Sequence, residues 1–422
     1  MSRSLIQIQV FENQIIRSNE PINGRLLPSG VWQSLAAFAA QHQEKYFTVL
    51  KNGLRFSHYV GTIQVGNVII EILPKIDQAE DINLQAVLLD MLRECRLLRP
   101  HPIVSAALQW QKGNLLDEYL SPFLNEVSAL LHEGLQRKYL PFAANRNNLR
   151  GRLLLNKQLQ HNWAHQERFF TAPLEHSLDH PFNRMLHAAL HLLTQIPIKP
   201  ALALRVKQLL SQFPAFEPAG SSLPDFDKFY FDHRTIRYKN ALQTAWFILQ
   251  QSRPGLRAGS TPVISILFDM NLLFEEFIFR QLRKAAGNTF LVQRQLTQPF
   301  WNRKFLRPDI VLYFENQRIV LDTKWKKLSN ASPSTEDLRQ LFVYSQYFDA
   351  KQSVLVYPQS STFKNMPPTA FSPIPGNNQT FYCSLIFVDL IKEGRLNPEL
   401  GKTLLATIAE ALAASAENQL FP

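Results

Sequence analysis

Cysteine is nearly absent: Cys95 and Cys383 are the only two in 422 residues, which excludes a disulfide framework and fits a reducing compartment. Long hydrophobic runs are missing as well. No apolar stretch reaches the roughly 18 residues of a membrane-spanning helix, and the opening MSRSLIQIQVFENQ lacks a signal-peptide core. The expectation is a soluble, cytoplasmic protein with no membrane association. There is no phosphate-binding loop: Gly401-Lys402-Thr403 has the right ending, but the glycine required five residues earlier is Leu396. Any nucleotide consumption belongs to another chain. Metal-binding histidine motifs are lacking too. His161 and His165, then His176 and His180, have helical i,i+4 spacing, but neither pair is His-Glu-x-x-His and Pro173 and Pro181 interrupt the helix, so ordinary polar or capping roles are expected. The chain shows no internal repeat and no low-complexity segment.

What is present is positive charge and length. Forty-five Lys and Arg against 34 Asp and Glu leave a net +11, a balance suited to a polyanionic partner. A chain of this size divides into two or three domains, each with its own core. Residues 1–80 read as short strands, including SLIQIQVF, KYFTVL and NVIIEIL, interrupted by one helical pattern in VWQSLAAFAAQH. Residues 81–262 are mainly helical, with turn-rich stretches at FPAFEPAGSSLPD and SRPGLRAGSTP. Residues 263–422 mix strands and helices. The expected class is therefore multidomain α+β and α/β: a β-rich amino-terminal part, a helical middle and a carboxy-terminal α/β domain.

The chemistry concentrates in LRPDIVLYFENQRIVLDTKWKK, residues 306–327. IVLYF and RIVLDTKWK are strand-like runs joined by a turn, so the segment reads as a β-hairpin. With Glu315 and Asn316 as a two-residue loop, Phe314 pairs with Gln317, and counting outward sets Asp309 opposite Asp322 on one face. Lys324, two residues on, shares that face. Two carboxylates on neighbouring strands can hold Mg²⁺, with Mn²⁺ as a substitute, and a cation beside them can orient a water and offset charge on a phosphate. Apolar residues flank Asp322 on both faces, so the carboxylate is expected to be enclosed, a cost that pairing or metal binding relieves. The bare pattern Pro-Asp, gap, Asp-x-Lys is weak evidence, arising by chance in roughly one chain in ten of this size. A salt-bridged Asp and Lys on an ordinary hairpin is the plain alternative.

Two flanking helices add context. FDMNLLFEEFIFRQLRKAA (268–286) carries Glu275 and Glu276 within its apolar stretch, and STEDLRQLFVYSQYF (334–348) opens with a capping box in which Asp337 takes the Glu position. Gln340 and Tyr344 lie one turn apart on a single face of that second helix. Basic residues, Arg280, Arg283, Lys284, Arg303, Lys304, Lys326 and Lys327, crowd the segment. Trp301 and Trp325 sit among them, available for nucleotide stacking or for core packing.

This order of elements, helix with Glu, strand with Pro-Asp, strand with Asp-x-Lys, helix with Gln-x-x-x-Tyr, resembles the PD-(D/E)xK nucleases, and the last helix is like that of their RecB-type branch. More narrowly, the chain resembles the McrC family, the nuclease subunits of McrBC-type modification-dependent restriction systems. FDMNLLFEEF, RPDIVL, LDTKWK and DLRQLFVYSQYF carry that resemblance. YVGTIQVGNVIIEILPKI (59–76), LRGRLLLNKQLQHN (149–162) and LEHSLDHPFNRMLHAAL (174–190) extend it over nearly the whole chain.

The resemblance implies a Mg²⁺-dependent endonuclease acting on double-stranded DNA. Asp309 and Asp322 would be metal ligands, assisted by the Thr323 carbonyl and by Glu275, which the family pattern favours over Glu276. Lys324 would act at the water and phosphate. Gln340, Tyr344, Arg307 and Lys326 would support the site or the DNA. It also implies a McrB-like AAA+ GTPase hexamer as partner, stimulated by the amino-terminal region and responsible for recognising methylated cytosine. Two other readings stand beside it: an activator or assembly bridge for an AAA+ motor, and a stand-alone RecB-like repair nuclease.

Overall fold

The structure, a computed structural model, describes residues 5–76, 83–97, 115–214, 216, 226–251, 263–315, 317–326, 328, 332–359, 363–373 and 379–420. The turn-rich stretches 217–225 and 252–262, with Asn316 and Lys327, lie outside the described residues.

The amino-terminal part is built on a four-stranded sheet. Ile6–Phe11 runs parallel to Val68–Leu73, which forms a hairpin with Tyr59–Val65. The last two strands are buried at every position, Thr62, Gln64 and Glu71 included, because both faces are covered. One face packs on the helix Ser29–Gln41 and on a small sheet of Ile15–Arg17, Gly53–Phe56 and Phe47–Leu50, closing a core around Leu35, Phe38, Phe47, Phe56, Ile63 and Ile70. The fourth strand, Val263–Asp269, comes from some 200 residues later in the chain and pairs antiparallel with Tyr59–Val65. Gly61 makes that pairing possible. Its φ is +133°, and a Cβ there would stand 2.0 Å from the Ile266 carbonyl oxygen.

The middle of the chain contributes the helices Leu84–Glu94, Leu115–Glu133, Pro181–Thr194, Pro200–Leu210 and Lys239–Gln251. It is less purely helical than its sequence suggests. Five short strands between Lys138 and Ser177 form a two-stranded and a three-stranded sheet. They are short and half-exposed, so they leave little periodic signal.

The carboxy-terminal sheet has six strands in the order Phe290–Arg294, Ile310–Phe314, Gln317–Thr323, Gln352–Pro358, Tyr382–Val388, Met366–Ala370. The first three are antiparallel; Gln317–Thr323, Gln352–Pro358 and Tyr382–Val388 are parallel. The helix Thr335–Tyr347 is the crossover between the first two parallel strands. Strand alternation sorts the side chains. Ile310, Leu312, Ile319 and Leu321 join a large core with Phe274 and Phe277 of the helix Met270–Ala285 and Ile408 of the helix Leu400–Leu420. Val311 and Val320 face Leu341 and Tyr344 of the crossover helix instead. The large core also takes in Val60, Leu88, Leu120 and Leu186, so it joins the amino-terminal sheet, the middle helices and the carboxy-terminal sheet.

The glycine of Gly401-Lys402-Thr403 has a packing role. A Cβ there would lie 2.2 Å from the Gln281 carbonyl oxygen, so Gly401 permits a close helix-to-helix approach.

Candidate active site

The hairpin has the register expected from its turn. Phe314 pairs with Gln317 and Ile310 with Leu321, which sets Asp309 across from Asp322. Glu315 takes a φ of +51°, the left-handed conformation that a tight hairpin turn demands. Asp309 and Asp322 are two residues from Val311 and Val320, so both carboxylates point to the face covered by the crossover helix.

Each is held differently. Asp309 Oδ2 accepts hydrogen bonds from the Thr323 backbone N–H at 2.7 Å and the Thr323 hydroxyl at 2.9 Å. Asp322 is 2 % exposed, and its Oδ2 lies 2.6 Å from Lys324 Nζ. Lys324 is the charged partner that this buried oxygen meets at close range. Burial, then the charge of Asp309, pushes the Asp322 carboxyl up to about 7 against the opposing pull of Lys324. Burial also raises Asp309, with the two Thr323 bonds partly offsetting it. Two carboxylates on paired strands, with one ammonium in contact with Asp322, form a site short of positive charge.

Lys324 is fixed at three points. Its backbone N–H continues the parallel ladder to the Val356 carbonyl at 2.9 Å, and its Nζ donates to Gln340 Oε1 at 3.0 Å besides facing Asp322. Burial opposes its charge, but Asp322, Asp309 and Asp337 outweigh that and hold its pKa above the ordinary lysine value. The crossover helix supplies the rest. Gln340 Nε2 donates to the Tyr344 hydroxyl at 2.9 Å, and that hydroxyl donates to the Arg307 carbonyl at 3.2 Å. Gln340 and Tyr344 therefore tie Lys324 on one strand to the chain entering Asp309 on the other. Tyr344→Phe, which removes the hydroxyl that accepts from Gln340 and donates to the Arg307 carbonyl, should lower stability by about 1 kcal/mol, read from thermal melts; an unchanged melting temperature would mean that the bridge holds nothing together.

Glu275 and Glu276 point to different partners. Glu276 is captured by Arg280 and Arg294. Glu275 accepts from Gln295 Nε2 at 3.2 Å, and its pKa is raised first by burial and then by the charge of Asp309. Arg307 is exposed beside this group, and Lys326 reaches Asp337 Oδ2. Thr323 is 8 % exposed.

Several contributors escaped the sequence reading. Asp337, recognised there only as part of a helix cap, donates its backbone N–H to Ser334 Oγ and accepts the Ser334 hydroxyl on its carboxylate, but also stands 3.9 Å from Lys324 Nζ. Burial pushes the Asp337 carboxyl up, yet its bonds from Lys326 and Ser334 prevail and hold it low. Trp325, one of two tryptophans available for stacking, is half-buried against Phe274 and donates its indole N–H to Glu12 Oε1 at 2.7 Å. Glu12, 2 % exposed, also accepts from the Lys75 backbone N–H, so the amino-terminal sheet reaches the residue next to Lys324. His58 faces Asp269 at 3.1 Å, and Asp269 caps the helix bearing Glu275.

The histidine pairs do other work. His161 stacks on Phe170, His165 pairs with Glu167, His176 stacks on Tyr139, and His180 caps the helix Pro181–Thr194. No helix among the described residues is long and apolar enough to cross a membrane.

A family profile for the McrBC 5-methylcytosine restriction system component matches residues 54–358, well over half of the sequence. The chain belongs to this McrBC family. The matched region takes in Glu275, Asp309, Asp322, Lys324, Gln340 and Tyr344. Among solved structures, a chain of the half-complex from the tetradecameric assembly of Thermococcus gammatolerans McrB AAA+ hexamers with bound McrC has a TM-score of 0.66 at 19% identity, covering 95% of this chain and 100% of that one. A chain of the Thermococcus gammatolerans McrBC complex, solved by cryo-EM, has a TM-score of 0.50 at 20% identity, covering 67% and 88%. The McrBC likeness is thus one of fold along nearly the full length. No curated protein sequence matches.

Proposed function

We propose that this chain is the McrC-type, DNA-cutting subunit of a restriction complex, hydrolysing phosphodiester bonds of methylcytosine-containing double-stranded DNA with Mg²⁺ from a PD-(D/E)xK-type site. The observation that carries the reading is the meeting of Asp309 and the buried Asp322 across one hairpin with Lys324 at 2.6 Å.

The donor set fits a hydrated divalent cation. No group of three His, Cys, Asp or Glu side chains is close enough to form a cage among the described residues. Mg²⁺ does not need one, because it keeps several waters and is commonly held by one or two carboxylates plus substrate phosphate oxygens. Asp322 is buried with Lys324 Nζ 2.6 Å from its Oδ2, and a divalent cation would add the positive charge that this carboxylate and Asp309 together still lack. When bound, the metal supplies Lewis-acid polarisation of the phosphate and a more acidic water. The rest falls to this chain. Asp309 and Asp322 would hold the ion, Thr323 locks Asp309 through two hydrogen bonds and would offer its carbonyl as a further ligand, and Glu275 would assist through water. Lys324, oriented by Gln340, positions the attacking water and offsets charge growing on the phosphate. Arg307 and Lys326 support the DNA and the site.

The partner in this reading is a McrB-like AAA+ GTPase hexamer, engaged and stimulated through residues 1–80 and carrying recognition of the modified base. The absence of a phosphate-binding loop in this sequence favours such a division. Exposed Tyr139, Phe142, Leu155, Leu159 and Trp163, the last at 80 % exposure, extend the candidate docking surface into the middle segment. The complex would work in the cytoplasm.

The test is cleavage of methylated and unmethylated DNA, with and without the partner, by wild type and Asp322→Ala. Cutting of methylated DNA by the wild-type complex alone is expected. If Asp322→Ala still cuts in Mg²⁺, the site assignment is wrong; if wild type cuts equally well without the partner, the division of labour fails.

A further inference from the structure

Gln298–Trp301 and Lys304–Leu306 form a hairpin that pairs with no other strand among the described residues. All four residues of its first strand are exposed. Yet it carries large rings: Phe300, Trp301 and Phe305 are 48 %, 66 % and 60 % exposed. A two-stranded hairpin is marginal on its own, and aromatic side chains left in water call for a partner.

The hairpin is held in a defined place. Phe300 packs edge-on against Tyr347 at the end of the crossover helix, with ring centroids 5.6 Å apart. Its second strand leads through Arg307, whose carbonyl is bonded by Tyr344, straight to Asp309. Lys304 is five residues before Asp309, so the chain between them spans at most about 18 Å. Anything the hairpin grips lies close to the bond being cut.

Its chemistry selects an occupant. Arg303 and Lys304 are exposed at the tip and have no carboxylate partner among the described residues. Lys304 Nζ stands 5.7 Å over the Trp301 ring, and the two share a face because they are directly paired; Phe305, paired with Pro299, is on the other face. A ribbon with a ring on each face and cations at its tip suits a DNA groove, where cations meet phosphates and flat rings meet bases or sugars. The major groove, about 12 Å wide, admits a two-stranded ribbon. A second copy of this chain fits less well, since a two-fold contact would set Arg303 and Lys304 against their own copies.

We propose that the hairpin 298–306 enters a groove of duplex DNA beside the scissile phosphate, with Trp301 and Phe305 against bases or sugars and Arg303 and Lys304 on flanking phosphates. This rests on the nuclease reading of the neighbouring site.

The test is fluorescence anisotropy of a labelled duplex with the full chain in EDTA, so that binding is read without cleavage. Trp301→Ala/Lys304→Ala should weaken duplex affinity by roughly tenfold or more and flatten the salt dependence by about one ion, with unchanged thermal stability and unchanged stimulation of the partner. Arg303→Ala/Lys304→Ala, which keeps the rings, should reproduce the loss of salt dependence. Unchanged affinity and salt slope in both variants overturns the proposal. So does a variant that dissociates a wild-type dimer in sedimentation while binding DNA normally, which would make the occupant a second copy. Cleavage by Asp322→Ala bears on the site reading alone, because the EDTA measurement does not depend on it.

Discussion

Asp322→Asn is expected to abolish DNA cleavage, by at least about a thousandfold, and at the same time to make the metal-free protein more stable above pH 7. The two effects have one cause. Asp322 is buried beside Asp309, and its carboxyl is pushed from an ordinary 3.8 up to about 7. Between those values the folded chain keeps a proton that the unfolded chain has released, so this group's contribution to stability falls as pH rises and is lost once pH passes 7. Asparagine carries no charge to bury. Its melting temperature in EDTA should exceed that of wild type by a few degrees at pH 8 and by about a third as much at pH 5. Mg²⁺ should raise the wild-type melting temperature at pH 8, where Asp322 is ionised, and do little at pH 5 or for the variant. Scanning fluorimetry at the two pH values, with Mg²⁺ or EDTA, reads all of this. A stability gain equal at both pH values would remove the electrostatic explanation.

Lys324→Ala should cost about a hundred- to a thousandfold in cleavage and move the lower limb of the pH–rate profile upward. Lys324 pulls the Asp322 carboxyl down, against burial and the charge of Asp309. Without it, Asp322 holds its proton to higher pH and competes longer with a metal ion for the same oxygen. Lys324→Arg separates the two roles. A guanidinium restores the charge, and with it the profile, but not the compact ammonium that fits between Asp322 and Gln340, so the rate should stay low. Single-turnover rates of the complex from pH 6 to 9 decide it. An unshifted profile in Lys324→Ala would mean that the lysine does not control the carboxylate.

The parts of this molecule that could be read from sequence are those fixed by short-range rules. The hairpin register followed from a two-residue turn and a period of two, and the crossover helix from Ser334 and Asp337 at its start. The helical period alone did not say which of Glu275 and Glu276 approaches Asp309; the family pattern favoured Glu275, and in the structure Arg280 and Arg294 engage Glu276 while Glu275 feels the charge of Asp309. The bond between Glu12 and Trp325 spans 313 positions, and nothing near either residue announces it. The pairing of Val263–Asp269 with Tyr59–Val65 is equally remote. An apolar strand states that it is buried but not against what.

That remote strand has a mechanical consequence. It ends at Asp269, and the helix bearing Glu275 begins at Met270, so no loop separates the amino-terminal sheet from the rod that reaches the candidate metal site. The same helix packs on the carboxy-terminal sheet, which leaves it clamped between the two halves. A shift of one half against the other has no joint in which to be absorbed. It must appear as a displacement of Glu275 relative to Asp309, where about 1 Å is enough to change a rate a hundredfold.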